Sequence, residues 1–252
     1  MTEAPVVKLE EVLRLAIEMN ATDIHVQVGL PPMFRVRGKL VAHESDALTA
    51  EQCEALVFSI MSEDQKKTFS ERLDCDFSYG VPGLARFRIN VFRQRASVAA
   101  AFRRIPYQIP ALEQLGLPPG VLDLLKLKRG LVLVTGATGQ GKSTTLASLL
   151  DRMNQERQLH IVTLEDPVEF SHPHKMATFN QREMGSDFDT FSSGLRAALR
   201  QAPKIILVGE MRDRETVEIG LSAAETGHLV LSTLHTVDAG QTINRILGMF
   251  ST

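Results

Sequence analysis

A glycine-rich segment near the middle of the chain carries the residues whose types and spacing most directly suggest chemistry. Residues 136–143, Gly-Ala-Thr-Gly-Gln-Gly-Lys-Ser, fit the pattern G-x-x-x-x-G-K-S/T between a strand pattern and a helix pattern. A glycine-rich turn with a stray lysine is the alternative. We expect the backbone N–H groups to face a polyphosphate, an exposed Lys142 to reach its β- and γ-phosphates, and Ser143 to ligate Mg²⁺. The predicted cofactor-binding residues of this loop are Gly136, Ala137, Thr138, Gly139, Gln140, Gly141, Lys142, Ser143 and Thr144.

An apolar strand pattern over residues 205–208 is followed by Gly209 and Glu210. Because ligand groups of open α/β sheets gather at the carboxyl ends of the strands, we expect Glu210 to lie beside the phosphate loop. Its carboxylate would hold Mg²⁺ through water or orient an attacking water. A strand that ends in a surface acid is the alternative interpretation.

Two further groups of polar residues follow predicted strands. Residues 165–169, with Glu165 at their head, close the strand pattern over 161–164, and residues 232–238, which include His235, close the pattern over 229–231. Each group alone is also typical of a solvated turn or a helix cap. His228 follows a predicted helix cap and is either functional or a buried structural histidine. The residues alone do not decide whether Glu165 or Glu210 is the base, because the chemistry needs only one base and one acid near the metal.

The second half of the chain has the pattern of an α/β domain. Four short apolar runs alternate with helical patterns, which predicts a parallel sheet covered on both faces. The predicted strands are residues 131–134, 161–164, 205–208 and 229–231.

The first hundred residues predict a small mixed α+β domain. In the strand pattern that begins at residue 85, Arg86 and Arg88 lie on the face opposite the apolar side chains, and Arg103 and Arg104 end the next strand. Four prolines then precede the change of pattern, which predicts a linker. The predicted organisation is residues 1–105, a linker over 106–119, and an α/β domain over 120–252.

Composition narrows the class of protein. The 252 residues are 44% hydrophobic and 23% charged with a net charge of -2, which excludes a disordered or fibrous chain and a global basic field for nucleic acid. Two cysteines, Cys53 and Cys75, cannot build a disulfide framework, so we expect a reducing, cytoplasmic location. No apolar run approaches the roughly 18 residues needed to cross a bilayer, so direct membrane insertion is not expected.

Four segments in order resemble a known family. The sequence resembles the secretion ATPase superfamily, specifically its pilus retraction (twitching motility) branch. The resemblance rests on a Walker A motif (GATGQGKSTT), an aspartate box (TLEDPVEF), a Walker B motif (ILVGEMRD) and a histidine box (TGHLVLSTLHT). ATDIH and RFRIN resemble segments of its N-terminal half. The resemblance implies a PAS-like α+β domain followed by a RecA-like P-loop ATPase core, with the family's C-terminal helices missing. The residues Gln201-Ala-Pro-Lys204 depart from the family's acidic D-P-D.

The resemblance also implies roles and partners. Glu165 would activate water, Glu210 would support Mg²⁺ and the water, and His235 and His228 would sense the nucleotide, with ATP as the substrate. The family works as a homo-hexamer at the inner face of the cytoplasmic membrane, on an inner-membrane pilus platform protein. Arg86, Arg88, Arg103 and Arg104 would then complete a neighbouring subunit's ATP site; otherwise they are solvated or paired with acids.

Three other functions remain open from the sequence. A pilus or type II secretion assembly ATPase would carry the same motifs, and a nucleotide-gated interaction module would bind ATP with little turnover. A DNA translocase is less compatible, because no Trp and only two Tyr are present to stack single-stranded bases.

Overall fold

The chain divides into two compact units in a computed structural model that describes residues 8–81, 85–105 and 108–250. The units are Met1–Pro106 and Tyr107–Thr252. Each has its own sheet and its own hydrophobic core, so each is described by itself. No helix in the described ranges combines the length and the apolar character that a membrane crossing requires.

The first unit is a six-stranded antiparallel sheet with three helices. The strand order is β3-β2-β1-β6-β5-β4. The second helix begins with a capping box formed by Thr49 and Gln52. The sequence patterns do not predict α3, β3 or β4. The bounds are α1 Leu9–Glu18, β1 Asp23–Val26, β2 Met33–Val36, β3 Lys39–Ala42, α2 Ala50–Phe58, α3 Glu63–Arg72, β4 Asp74–Val81, β5 Ala85–Gln94 and β6 Ser97–Ile105.

Strand β5 divides its side chains between the core and a polar face of the sheet. Phe87, Ile89 and Val91 are fully buried, whereas Arg88 on the opposite face is exposed. Arg88 lies directly across from Arg103 of β6. The period-2 pattern in the sequence therefore predicts this strand correctly, because only one face of the sheet contributes to the core.

The second unit is built on a five-stranded sheet in which all neighbouring strands are parallel. The order is β7-β11-β10-β8-β9, so the four predicted strands lie side by side and the parallel sheet is confirmed. Strand β9 is an additional edge strand that its polar sequence, TFNQRE, does not predict. The bounds are β7 Gly130–Thr135, α4 Lys142–Glu156, β8 His160–Glu165, β9 Thr178–Glu183, α5 Phe191–Ala198, β10 Ile205–Val208, α6 Arg214–Glu225, β11 Leu229–Leu234 and α7 Ala239–Phe250.

Helices cover both faces of this sheet. Ile205 and Leu207 pack in one core with the apolar side of α4, and Ile206 and Val208 pack in a second core with α5 and α6. Because the strands are parallel and buried on both faces, they read in the sequence as continuous apolar runs. The arrangement brings the carboxyl ends of β7, β8, β10 and β11 to the same edge.

The described part of the proline-rich segment belongs with the second unit. The Ser148 hydroxyl of α4 donates a hydrogen bond to the Pro110 carbonyl at 2.7 Å, and Leu112 is buried. Two short 3-10 helices, Leu112–Leu115 and Pro119–Lys126, follow. The segment from residue 110 onward therefore packs on α4, where the sequence predicted a linker.

Candidate functional site

A cleft of about 390 Å³ opens at the carboxyl edge of the parallel sheet. Its walls come from the phosphate loop, the start of α4, and the residues after β8, β10 and β11. Five residues with predicted roles in phosphate binding, Mg²⁺ binding or catalysis line this cleft: Lys142, Ser143, Glu165, Glu210 and His235.

Backbone geometry explains the glycines of the phosphate loop. Gly139 and Gly141 have φ angles of 81° and 83°, in the left-handed region that side chains disfavour. This curl leads directly into α4, whose first residue is Lys142. The N-terminus of a 15-residue helix presents unpaired N–H groups and positive potential, which suit a phosphate. Gly139, Gly141, Ser143 and Thr144 line the cleft.

Lys142 is less exposed than the sequence led us to expect. Only 9% of its surface is accessible, and its Nζ donates hydrogen bonds to the carbonyls of Gly136 (2.8 Å) and Ala137 (3.0 Å). The prediction of an exposed lysine is therefore wrong, because the ammonium group lies back against the loop that precedes it. Lys142 thus supports the loop's conformation as well as lining the cleft.

Glu165 stands at the end of β8 and accepts hydrogen bonds on one oxygen from two side chains. The Thr163 hydroxyl donates to its Oε1 at 2.6 Å, and the Gln181 amide of β9 donates to the same atom at 3.0 Å. Burial raises the pKa of Glu165 to about 6, although both hydrogen bonds act in the opposite direction. A carboxylate with a pKa near neutrality that lines a polar cleft is suited to general-base work.

Glu210 follows β10 after Gly209 and is held differently. Its Oε1 pairs with Arg212 Nη2 at 2.5 Å, and its Oε2 lies 3.8 Å from Nε2 of His235. The Oε2 atom is buried and has no hydrogen-bond partner. His235 itself is half exposed. The two acids therefore differ in environment, because Glu165 is held by neutral donors, whereas Glu210 pairs with the Arg212 guanidinium and lies near the His235 ring.

The donor set near Glu210 fits Mg²⁺. A serine hydroxyl at Ser143 and a carboxylate oxygen without a hydrogen bond at Glu210 Oε2 line the same cleft, and both are hard oxygen ligands. Among the described residues no group of three or more His, Cys, Asp or Glu could hold a metal by itself. That agrees with the habit of Mg²⁺ to take most of its ligands from phosphates and water.

Several proposed residues do not lie in this cleft. His228 directly precedes β11, at the opposite edge of the sheet, and its Nδ1 lies 3.0 Å from the Ala223 carbonyl. Arg86, Arg88, Arg103 and Arg104 belong to the first unit. There Arg103 pairs with Asp23 at 3.0 Å, and Arg104 donates to the Asn20 side chain.

The sequence patterns do not indicate some of the residues that line or support the cleft. Thr233 of β11 donates from its hydroxyl to the Gly209 carbonyl at 2.7 Å, tying two strand ends together. Phe170 and His172 line the wall beyond Glu165. Gln181 contacts Glu165 from β9, a strand whose polar sequence gave no signal for the sheet.

The comparison with family models decides the family. The model of the Type II/IV secretion system protein family matches residues 2–252. The chain belongs to this family. Membership agrees with the four motifs, all of which contribute residues to the cleft.

Relatives and a solved structure extend the comparison. The chain is 48% identical over 242 residues to the Type IV pilus retractation ATPase PilT of Pseudomonas aeruginosa, covering 96% of this chain and 70% of that protein. It is 45% identical over 219 residues to the twitching motility protein of Neisseria gonorrhoeae, covering 87% of this chain and 59% of that one. The crystal structure of the pilus retraction motor PilT with bound ADP is 49% identical and superposes with a TM-score of 0.91, over 97% of this chain and 72% of that chain. The chain is therefore a PilT-like member of the family that spans part of the length of these relatives.

Proposed function

We propose that this protein is a Mg²⁺-dependent ATP hydrolase that acts as a hexameric motor for type IV pilus retraction. The observation that carries the proposal is the meeting of Lys142, Ser143, Glu165 and Glu210 in one cleft. A module that only binds nucleotide would not require a second acid of raised pKa there. The similarity to PilT and to the twitching motility protein supports retraction.

Each residue of the cleft has a role in the proposed mechanism. The loop N–H groups and Lys142 would bind the β- and γ-phosphates of ATP, and Ser143 and Glu210 would hold Mg²⁺. When bound, Mg²⁺ neutralises charge that develops on the phosphate oxygens. Glu165 accepts a proton from the attacking water at its carboxylate. His235, 3.8 Å from Glu210 at its Nε2, lies where it can respond to the nucleotide state.

We expect ATP turnover to fall at acidic pH. The carboxylate of Glu165 must be ionised to accept a proton, and burial raises its pKa from 4.5 to about 6. The turnover number should therefore be halved near pH 6 and fall to roughly a tenth near pH 5. Steady-state rates from pH 5 to 8 at saturating Mg²⁺-ATP test this, and a rate that stays flat down to pH 5 contradicts the role of Glu165.

The family resemblance supports a finer description of the architecture and location. The first unit is a PAS-like domain and the second a RecA-like core. The organisation is the predicted one, residues 1–105, a linker over 106–119 and 120–252, with the linker packed on α4 from residue 110 onward. The protein works in the cytoplasm at the inner face of the cytoplasmic membrane, on an inner-membrane pilus platform protein. His228 transmits the nucleotide state from the far edge of the sheet.

We further propose that arginines of the first unit complete the ATP site of a neighbouring subunit. The phosphate cleft has one lysine in its lining, whereas phosphoryl transfer spreads charge over several oxygens, and an arginine finger contributes about 10³–10⁵ in rate. Arg88 and Arg103 are both exposed and lie directly opposite each other. Arg103 pairs with Asp23, and a further anionic partner would stabilise these two like charges. Arg86 lies on the same face of β5 as Arg88, whereas Arg104 lies across from Phe87 on the other face of the sheet.

Mixing two inactive variants tests the motor and the shared site together. A Lys142→Ala chain keeps its arginines, and an Arg86→Ala/Arg88→Ala chain keeps its phosphate loop, so a mixed hexamer contains some complete sites. We expect each variant alone to be inactive and the mixture to regain turnover, with light scattering reporting the mass of a hexamer. No recovery despite confirmed co-assembly, or full activity of the arginine variant alone, would contradict the shared site.

A further inference from the structure

Strand β9 contributes a single amide side chain that touches both Glu165 and the chain that follows it. The Gln181 Nε2 donates to Glu165 Oε1 at 3.0 Å and to the Phe170 carbonyl at 2.8 Å. Its Oε1 accepts a hydrogen bond from the His172 backbone N–H at 2.8 Å. One side chain therefore ties the carboxylate to two points of the loop behind it.

The register of the sheet explains why Gln181 can reach this position. Residue 181 lies directly across from Thr163 in the parallel pairing of β8 and β9. Thr163 and Glu165 are two residues apart on β8, so their side chains share one face of the sheet with Gln181. Thr163, fully buried, supplies the second hydrogen bond to the same carboxylate oxygen.

A second contact from β9 fixes the same loop. The His172 ring stacks on Phe179, two residues before Gln181, with ring centroids 4.3 Å apart and planes within 8°. The loop is therefore held by β9 through a ring contact as well as through the amide. This leaves the Gln181 amide as a donor in a fixed position, because the backbone that it bonds to is itself anchored.

We propose that Gln181 is a positioning residue that orients the Glu165 carboxylate for its reaction with water. The inference rests on the proposed function of Glu165 as the base. A base must lie within about 2.6–3.2 Å of the proton that it takes, and a displacement of 1 Å can cost about 10²-fold in rate. Two neutral donors on one oxygen fix the rotation of the carboxylate without adding a charge beside it.

The test compares two leucine substitutions on one strand in the full-length protein. Gln181→Leu removes the amide, and Asn180→Leu is the matched control, because Asn180 is exposed and faces the other side of β9. We expect Gln181→Leu to lower kcat about 10–100-fold while the KM for ATP stays within about threefold. Gln181→Met, which keeps the unbranched shape, should behave alike if Gln181→Leu fails to fold, and Asn180→Leu should leave both constants unchanged.

A double variant separates positioning from a purely structural role. In a Glu165→Gln background the carboxylate is already gone, so adding Gln181→Leu should lower the residual kcat by no more than about threefold. A Gln181→Leu kcat near that of the wild type, a KM raised as much as kcat is lowered, or an additive loss in the double variant would each overturn the inference. Normal turnover of Glu165→Gln alone would instead overturn the proposed function, so the two failures are distinguishable.

Discussion

Replacing Lys142 by alanine is expected to abolish measurable ATP turnover, with a loss of at least about 10²-fold. The reason is that Lys142 is the cation at the start of α4 and lines the cleft, where a preorganised charge on the phosphates is worth far more than in water. Nucleotide affinity should fall with it, because in the proposed mechanism the same ammonium group binds the phosphates in the ground state. Binding of a fluorescent ATP analogue and steady-state hydrolysis measure the two effects.

The position of Lys142 makes a stability control necessary. Its Nζ holds the carbonyls of Gly136 and Ala137, so the substitution also removes two charge-assisted hydrogen bonds from the loop. Burying the ammonium group has an opposing cost, so we expect the melting temperature to change by only a few degrees. Lys204→Ala, an exposed lysine directly before β10 at the other edge of the sheet, is the matched control. If Lys142→Ala hydrolysed ATP at the wild-type rate, the proposed role of the phosphate loop in ATP hydrolysis would be contradicted.

Replacing Glu165 by glutamine is expected to abolish ATP hydrolysis while leaving ATP binding intact. A general base contributes about 10²–10⁴-fold, and glutamine preserves the shape of the side chain without its capacity to accept the proton. We expect a loss of kcat in that range with an unchanged dissociation constant for ATP. Single-turnover hydrolysis and equilibrium binding measure the two quantities, and Glu225→Gln, an exposed acid at the end of α6, serves as the control.

Glu210→Gln should have a different signature. Because Glu210 Oε2 is buried and has no hydrogen bond, we expect the substitution to weaken Mg²⁺ binding. A higher Mg²⁺ concentration should then partly restore ATP turnover. Glu165→Gln should not respond to added Mg²⁺. Normal ATP hydrolysis by Glu165→Gln would contradict the role of Glu165 as the base. If Glu210→Gln instead shows a loss of kcat that added Mg²⁺ does not restore, the roles of the two acids are reversed.

The sequence determined those parts of the site that follow from local patterns. The spacing from Gly136 to Ser143 predicts a phosphate loop because backbone curvature and the helix N-terminus are local properties. Continuous apolar runs predicted four neighbouring parallel strands, and their carboxyl ends placed Glu165, Glu210 and His235 at one edge. These positions could be predicted because burial on both faces leaves a strong signal in the sequence.

Features that depend on contacts between distant segments were decided only by the tertiary structure. Lys142 is buried because carbonyls six and five residues earlier turn toward it, and a pattern of residue types does not record that direction. The edge strand β9 is polar, so its pairing with β8, and with it the contact between Gln181 and Glu165, has no periodic signal. The raised pKa of Glu165 likewise comes from burial by the assembled sheet and loop. The sequence alone fixes which residues reach the sheet edge, whereas packing fixes their protonation and orientation, because both depend on neighbours that are remote along the chain.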